Sequence, residues 1–373
     1  MESLSIAEKY KKFDKATVYG KVDIKKLLLD NDIDPSYCDN KAIQNSSMFG
    51  HLEIVKELLK DPRVDPSANN NYAILWASSM GKLEVVKELL KDSRVDPADN
   101  NNGAINRASM FGHLEVVKEL LKDPRVDPCN SLPDASGKIF GNVEVVKELL
   151  KDPRVDPSTG NAFGNACFEG SFEIVKELLN DSRVDPTADN NRAIVTASYH
   201  GRLEVVKLLL SDSRVDPSGD DNRAIRKASE NGHLEVVKEL LKDPRVDPSD
   251  DHNDAIISAS KNDHVEVVKL LLSDPRVDPS DDDNRAIRVS GNIEIVKLLL
   301  SDRRVDPSGN GYEAIKWVSK NYFDEGVKET LNNYLKDKSN VKREPEYFDK
   351  FVEILCYFIL FKILNGMFMF FYK

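Results

Sequence analysis

The apolar positions of the chain follow a helical period that polar loops interrupt at regular intervals. In HLEVVKELLK, residues 113–122, apolar side chains recur three or four residues apart, which predicts an amphipathic helix. Its apolar stripe consists of Leu114, Val117, Leu120 and Leu121. Asp123-Pro124 ends this helix, because proline lacks a backbone N–H and disfavours a helical conformation at the residue before it.

A shorter apolar segment precedes this helix. It contains Ala104 and Ala108, four residues apart, so one of its faces can approach a neighbour closely. Gly112 interrupts the segment, and the Asn- and Asp-rich residues before it are typical of loops and helix caps. Residues 98–128 therefore predict one unit of helix, tight turn, helix and loop.

The same unit recurs along most of the chain. Residues 113–128 and 233–248 are identical, and residues 51–66 differ from them only at Ile54. An Asp-Pro dipeptide closes each unit, most often 31 residues after the previous one. The predicted units end near residues 35, 66, 97, 128, 157, 186, 217, 248, 279, 307 and 338. Helices of under about 12 residues are marginal in water, so we expect each unit to pack on the previous one in a solenoid.

These units resemble the ankyrin repeat. The Gly-His pairs at 50–51, 112–113 and 232–233 match its turn, and EVVKELL matches its second helix. The usual Thr-Pro start is absent, and DPRVDPS replaces the usual loop, in a form similar to ankyrin proteins of large DNA viruses of amoebae. The resemblance implies an all-α ankyrin-repeat solenoid over residues 1–338, with about eleven helix-turn-helix units and degenerate terminal units.

Three units depart from the pattern. Residues 129–157 carry Pro133 and Gly137 within the expected first helix, which predicts a kink or weak point near 129–141, with simple repeat decay as the alternative. Residues 158–186 and 280–307 are shorter than the other units.

The composition of the chain limits the classes of protein to which it can belong. The chain has 40% hydrophobic residues, enough for a folded core, and a formal net charge of −11, which argues against nucleic acid as a partner. The N-terminus lacks the apolar segment of a signal peptide. Four cysteines without a pairing pattern, Cys38, Cys129, Cys167 and Cys356, indicate reduced thiols. We expect a cytoplasmic monomer in the host or producing cell.

No motif in the sequence indicates catalysis or a cofactor. There is no phosphate loop, GxSxG or HExxH. The histidines His51, His113, His233 and His264 occupy one repeat position, too far apart to share a metal, so we interpret them as structural. Arginines recur in the D-x-R-V-D-P loops, either as a basic stripe or paired with the flanking aspartates, and we favour pairing.

The resemblance also implies where a protein partner would bind. Ankyrin proteins use the loop tips and the two positions after the paired alanines of the first helix. The predicted contact residues are Met48, Phe49, Trp76, Met80, Met110, Phe111, Phe168 and Tyr199. Trp317 shares the repeat position of Trp76. The alternative is that Phe49 and Phe111 pack on the next unit.

The loop tips become acidic towards the C-terminus. The acidic residues there are Asp220, Asp221, Asp250, Asp251, Asp281, Asp282 and Asp283. They could attract a basic partner or only keep the solenoid soluble. We therefore expect a non-catalytic protein-binding scaffold whose concave face is apolar near the N-terminus and acidic near the C-terminus.

The C-terminal residues differ from the repeats. A charged linker over residues 339–346 precedes the apolar segment 351–372, which has the length of a membrane span but contains Glu353 and Lys362. Three interpretations remain open: a membrane anchor that recruits partners, a helix capping the last repeat, or a decayed end. A ubiquitin-ligase adaptor role is a weaker analogy, because no leucine-proline start of an F-box is present.

Overall fold

A computed structural model describes residues 5–20, 24–30, 32–129, 131–132, 142–158 and 160–305. The chain divides into two compact units, residues 1–217 and 218–373, and the division coincides with a predicted repeat end. Within the described residues the regular elements are all helical, so the all-α prediction is confirmed. Most of the predicted weak point near 129–141, namely residues 130 and 133–141, lies outside the described residues, as do the eleventh repeat, Trp317 and the apolar tail.

The first unit is a series of helical hairpins. Its helices with stated bounds are α1 (Ile6–Tyr19), α2 (Ile24–Leu28), α3 (Tyr37–Phe49), α4 (Leu52–Lys60), α5 (Ala68–Ser79), α6 (Leu83–Leu90), α7 (Asp99–Met110), α8 (Leu114–Leu121), α9 (Val143–Leu150), α10 (Ala162–Glu169), α11 (Phe172–Asn180), α12 (Ala188–Tyr199) and α13 (Leu203–Ser211). The first helices α3, α5 and α7 pack in one row, and the second helices α4, α6 and α8 pack in another.

The second unit repeats this arrangement. Its helices are α14 (Gly219–Glu230), α15 (Leu234–Leu241), α16 (Asp250–Lys261), α17 (Val265–Leu272), α18 (Asp281–Val289) and α19 (Ile293–Ser301). Here α14, α16 and α18 form the row of first helices, and α15, α17 and α19 form the row of second helices. The shortened unit 280–307 retains both of its helices, although α18 ends early at Val289.

The core lies between the two rows of helices. On α8 the fully buried side chains are Val116, Val117 and Leu120, whereas Leu114 and Leu121 are half-buried. The prediction was therefore right for Val117 and Leu120, missed Val116, and included two residues that are only half-buried. Helix α8 contacts α7 and also the second helices before and after it. Its buried side chains therefore differ from those expected for a helix that packs against a single neighbour.

A turn of left-handed backbone opens most of the first helices. Three consecutive residues have φ of about +50° to +60°, a conformation that Asn and Asp tolerate better than other side chains. The triplets are Cys38-Asp39-Asn40, Asn69-Asn70-Asn71, Asn100-Asn101-Asn102, Asp189-Asn190-Asn191, Asp220-Asp221-Asn222, Asp251-His252-Asn253 and Asp282-Asp283-Asn284. The polar segments predicted as loop and cap therefore form a defined turn that begins the helix.

In six of the seven triplets the third residue is an asparagine that joins neighbouring repeats. The Oδ1 atom of Asn71 accepts a hydrogen bond of 2.9 Å from the backbone N–H of Asp96, and its Nδ2 donates to Asp99 at 2.9 Å. Asn222 and Asn253 repeat both bonds in the second unit. Because Asn71 is only 5% exposed, these bonds satisfy an amide that would otherwise be buried without partners.

The arginines of the D-x-R loops are paired, as favoured from the sequence. Arg94 donates from Nε and Nη2 to both carboxylate oxygens of Asp92, at 2.9 and 2.6 Å. Its Nη1 donates to the carbonyl oxygen of Val64 in the preceding repeat at 2.7 Å. The same carboxylate pairing recurs at Arg63, Arg125, Arg154, Arg183, Arg214, Arg245, Arg276 and Arg304. This ladder fixes one loop to the next and does not form a free basic stripe.

We expect these pairs to make the fold sensitive to acid. Hydrogen bonds from the arginine lower the pKa of the aspartate in all nine loops, including Asp92 and Asp123. A folded-state pKa below the unfolded value of about 3.9 stabilises the fold above that pH, and this contribution is lost as pH falls through the folded-state values. Circular dichroism at 222 nm should show helix loss beginning below about pH 4. Unchanged denaturation midpoints between pH 7 and pH 3 would contradict the prediction.

The histidines at the start of the second helices are structural, as interpreted. The Nε2 atom of His113 lies 2.9 Å from the carbonyl oxygen of Ser79 in the preceding repeat, and His51 and His264 make the same contact. Each ring also covers a glycine of the preceding repeat, because a Cβ atom on Gly81 would lie 2.6 Å from Nδ1 of His113. Gly81 has φ of +65°, so the turn requires glycine for its conformation and for space.

Candidate functional site

The row of first helices in repeats two to four presents one continuous face. Five equivalent helical positions on α3, α5 and α7 carry the exposed and half-buried side chains of this row, apart from Leu75, Ser79 and Gly103, which are buried; we call them together the aromatic face. They are Lys41, Gln44, Asn45, Met48 and Phe49 on α3, Tyr72, Leu75, Trp76, Ser79 and Met80 at α5, and Gly103, Asn106, Arg107, Met110 and Phe111 at α7.

The last position in each of these three repeats carries an exposed apolar side chain. Phe49 is 43% exposed, Met80 39% and Phe111 41%, so none of the three is buried against the next repeat. The ring of Phe49 stacks on His51 of its own turn at a centroid distance of 6.3 Å, and Phe111 lies 6.4 Å from His113. The turn therefore holds both rings at the surface, beside a histidine that the preceding repeat fixes, whereas Lys82 takes the place of the histidine after Met80.

The position before it is less accessible. Met48 and Met110 are half-buried, and Ser79 is buried at the equivalent place on α5. Trp76 is also half-buried, and it contacts Tyr72 edge to face at 6.1 Å. The predicted residues of repeats two to four thus lie on one face, with exposed side chains at its rim and half-buried ones behind them.

Tyr72 belongs to this face and was missed from the sequence. Its side chain is 39% exposed, and it lies one helical turn before Trp76. The prediction concentrated on the end of the first helix, whereas Tyr72 lies immediately after the left-handed turn. The four-residue spacing from Trp76 was the available signal, because such residues share one helical face.

A second aromatic group occurs further along the first unit. The ring of His200 lies 4.3 Å from that of Phe168 and 4.7 Å from that of Tyr199, both edge to face. Phe168 and Tyr199 remain 45% and 42% exposed. The two predicted residues, from consecutive repeats, are therefore joined through a histidine. Exposed aromatic surface recurs in both parts of the first unit, separated by the undescribed residues 133–141.

The acidic tips of the second unit lie in its left-handed turns, where arginines neutralise several of them. Asp220 pairs with Arg223 at 2.8 Å, and Asp282 pairs with Arg285 at 3.1 Å. Asp251 forms an ion pair with Arg226 of the preceding repeat. Asp221 and Asp283 are exposed. The tips thus carry less net negative charge than the aspartates alone indicate.

Two further acidic tips have structural partners. Asp250 accepts a hydrogen bond from Asn222 Nδ2 at 2.9 Å, and Asp281 accepts one from Asn253 Nδ2 at the same distance. Each also accepts the backbone N–H of the following residue. These bonds lower the pKa of Asp281. Both residues therefore contribute to joining repeats, independently of any partner.

The described cysteines and potential metal ligands offer little reactive chemistry. Among the described cysteines Cys38 is exposed, Cys129 half-buried and Cys167 buried, and all three are free thiols. Burial raises the pKa of Cys167 to about 12, so its thiol is inert near neutral pH. In the described part of the chain, no three His, Cys, Asp or Glu side chains are placed to hold a metal ion. No helix there is long and apolar enough to cross a membrane.

The fold defines a class of protein, that of stacked helical hairpins whose first helices form an exposed face. Comparison with family models matches this chain to ankyrin repeats, three copies per model, over residues 42–130, 135–221 and 213–283. The chain therefore belongs to the ankyrin repeat family, as the sequence resemblance indicated. A search of curated proteins finds no significant match.

Proposed function

We propose that this chain is a non-catalytic scaffold that binds a protein partner on the aromatic face. Ankyrin repeats form a protein-interaction module. The observation that carries the proposal is the exposure of Phe49, Met80 and Phe111 on three consecutive repeats. Exposed aromatic and methionine side chains grouped on one surface are typical of interaction sites, because their burial against a partner releases water from apolar surface.

The packing of the helices supports a concave location for this face. In each unit the first helices contact one another more extensively than the second helices do. A closer-packed row lies on the inner side of a curved stack, so partner segments on the aromatic face would contact several repeats together. The PRVDPS loops, which resemble those of amoeba-virus ankyrin proteins, support a host-cell protein as this partner.

The test compares protein capture by two variants of the full chain. Met110→Glu with Phe111→Glu places two charges on the aromatic face. Lys87→Gln with Lys91→Gln makes the same change in net charge on the second helix of repeat three, away from that face. We expect partners captured from cytosol by the unchanged chain, identified by mass spectrometry, to be retained by the lysine variant and lost by the Met110/Phe111 variant.

Both variants must first match the helical content and melting of the unchanged chain. A partner retained equally by both would place recognition elsewhere and reject the aromatic face. Loss from both variants would indicate a contribution from charge alone and would also contradict the proposal.

A further inference from the structure

The aromatic face carries positive charge that the described residues do not neutralise. In repeats two to four, the lysine in the middle of each second helix has a carboxylate partner, and so has the arginine of each following loop. The pairs are Lys56–Glu53, Lys87–Glu84, Lys118–Glu115, Arg63–Asp61, Arg94–Asp92 and Arg125–Asp123. In contrast, Lys41 and Arg107 on the aromatic face, and Lys82 at its edge, have no ion pair with any described residue.

Carboxylates are missing from this face. None of the five positions of the aromatic face on α3, α5 or α7 is Asp or Glu. Asp99 lies at the start of α7, but Asn71 binds its carboxylate. Asp39, in the left-handed turn before the regular part of α3, is the one exposed carboxylate among these turns in repeats two to four.

The equivalent face of the second unit shows that the contrast is local. There Arg223 pairs with Asp220, Arg226 with Asp251, and Lys227 with Glu230 at 2.5 Å. These three cations are matched within the unit, whereas Lys261 and Arg288 on its first helices form no ion pair with a described residue. The cations of the aromatic face are available to a partner, and they surround apolar side chains instead of acidic ones.

The spacing of the repeats indicates the shape of the partner. Packed helices lie about 8–10 Å apart, so Phe49, Met80 and Phe111 recur at roughly that interval. Seven residues of an α-helix advance about 10.5 Å and return to the same helical face. An extended strand covers the interval in about three residues, which places successive apolar side chains on opposite faces. At the upper end of the range of about 8–10 Å, a helix therefore meets successive contacts with one face, whereas a strand meets them with alternating faces.

We infer that the aromatic face of repeats two to four binds an acidic amphipathic α-helix. Its apolar side chains, seven residues apart, would contact Phe49, Met80 and Phe111, and its Asp or Glu side chains would pair with Lys41, Lys82 and Arg107. This inference rests on the proposed function, because it names the partner chemistry of the same face.

The test uses a displayed library of peptides as the probe. Each peptide has three apolar residues at seven-residue spacing, and its other positions vary among Glu, Lys, Gln and Ala. A second library is identical except for a proline in its central turn, which breaks the helix. Selection on the full chain should enrich peptides with net negative charge from the first library and few from the second.

Variants with reversed charges test whether the cations of the aromatic face set the preference for acidic peptides. Lys41→Glu with Arg107→Glu should weaken the enriched acidic peptides by about tenfold, as two surface ion pairs of under about 1 kcal/mol each predict. The same variant should enrich basic peptides instead. Lys87→Glu with Lys118→Glu makes the same charge change on the second helices and should leave both the affinity and the preferred charge unchanged.

The outcomes separate this inference from the proposed function. Enrichment without a charge preference, or equal enrichment of the proline library, would overturn the acidic helix. If those peptides still failed to bind Met110→Glu with Phe111→Glu, the aromatic face would remain a binding site for another kind of segment. Peptides that bound the unchanged chain and the Met110/Phe111 variant equally would contradict the binding role of the face, whereas an absence of enrichment from both libraries would overturn the acidic helix alone.

Discussion

Replacing Asn71 by alanine is expected to lower the free energy of unfolding by about 2–4 kcal/mol, whereas Asn70→Ala should lower it by about 1 kcal/mol. Both residues have φ of +57°, so both variants lose a side chain that tolerates the left-handed conformation. Only Asn71 is buried, and only its removal breaks the bonds to Asp96 and Asp99. Asn70 is exposed and serves as the matched control.

Two measurements on the full chain check this difference. Urea denaturation followed by circular dichroism gives the shift of the midpoint. Amide hydrogen exchange gives a local value, because the backbone N–H of Asp96 donates to Asn71 and should lose protection in Asn71→Ala alone. Equal midpoint shifts, with Asp96 still protected in both variants, would show that the conformational preference accounts for the whole effect.

Gly81→Ala should destabilise the protein by a comparable amount, about 2–4 kcal/mol, for two separable reasons. The residue has φ of +65°, where alanine is strained. In addition, the new Cβ would lie 2.6 Å from Nδ1 of His113, so the imidazole of the next repeat must move. That movement also disturbs the hydrogen bond of His113 to the carbonyl oxygen of Ser79.

A double-mutant cycle with His113→Ala separates the two reasons. In the His113→Ala background the clash is absent, and Gly81→Ala should then cost only about 1–2 kcal/mol for the backbone strain. The coupling free energy from urea denaturation of the four proteins is the measured quantity. Additive effects within error would mean that the imidazole moves aside freely, and the account of the glycine-histidine contact would be wrong.

The helical hairpins and their stacking were predictable from the sequence because both depend on local periodicity. The pattern of HLEVVKELLK identifies a helix, and Asp-Pro identifies its end, without information from distant residues. The pairing of arginine with aspartate was also favoured correctly, since the partners are two residues apart. The second contact of each arginine was not predictable, because it joins Arg94 to a carbonyl of the preceding repeat.

The left-handed turns were missed for a related reason. A run such as Asn69-Asn70-Asn71 suits a cap, a loop or a left-handed turn equally well by local preference. What selects the turn is the burial of Asn71 against Asp96, twenty-five residues later. Similarly, the prediction of an acidic second unit did not take account of the arginines three residues after Asp220 and Asp282. That spacing permits ion pairing.

The contacts between repeats allow whole repeats to be gained or lost during evolution. Asn71, Arg94 and His113 each reach a backbone group or a glycine that its neighbouring repeat supplies in equivalent form. Deletion or duplication of a complete 31-residue segment would therefore leave each donor opposite a matching acceptor. Removal of the residues between the identical segments 113–128 and 233–248, together with one of the two segments, would for example rejoin the chain without changing the amino-acid sequence at the junction. The extent of the surface offered to partners can thus evolve by whole repeats, while individual side chains on that surface diverge separately.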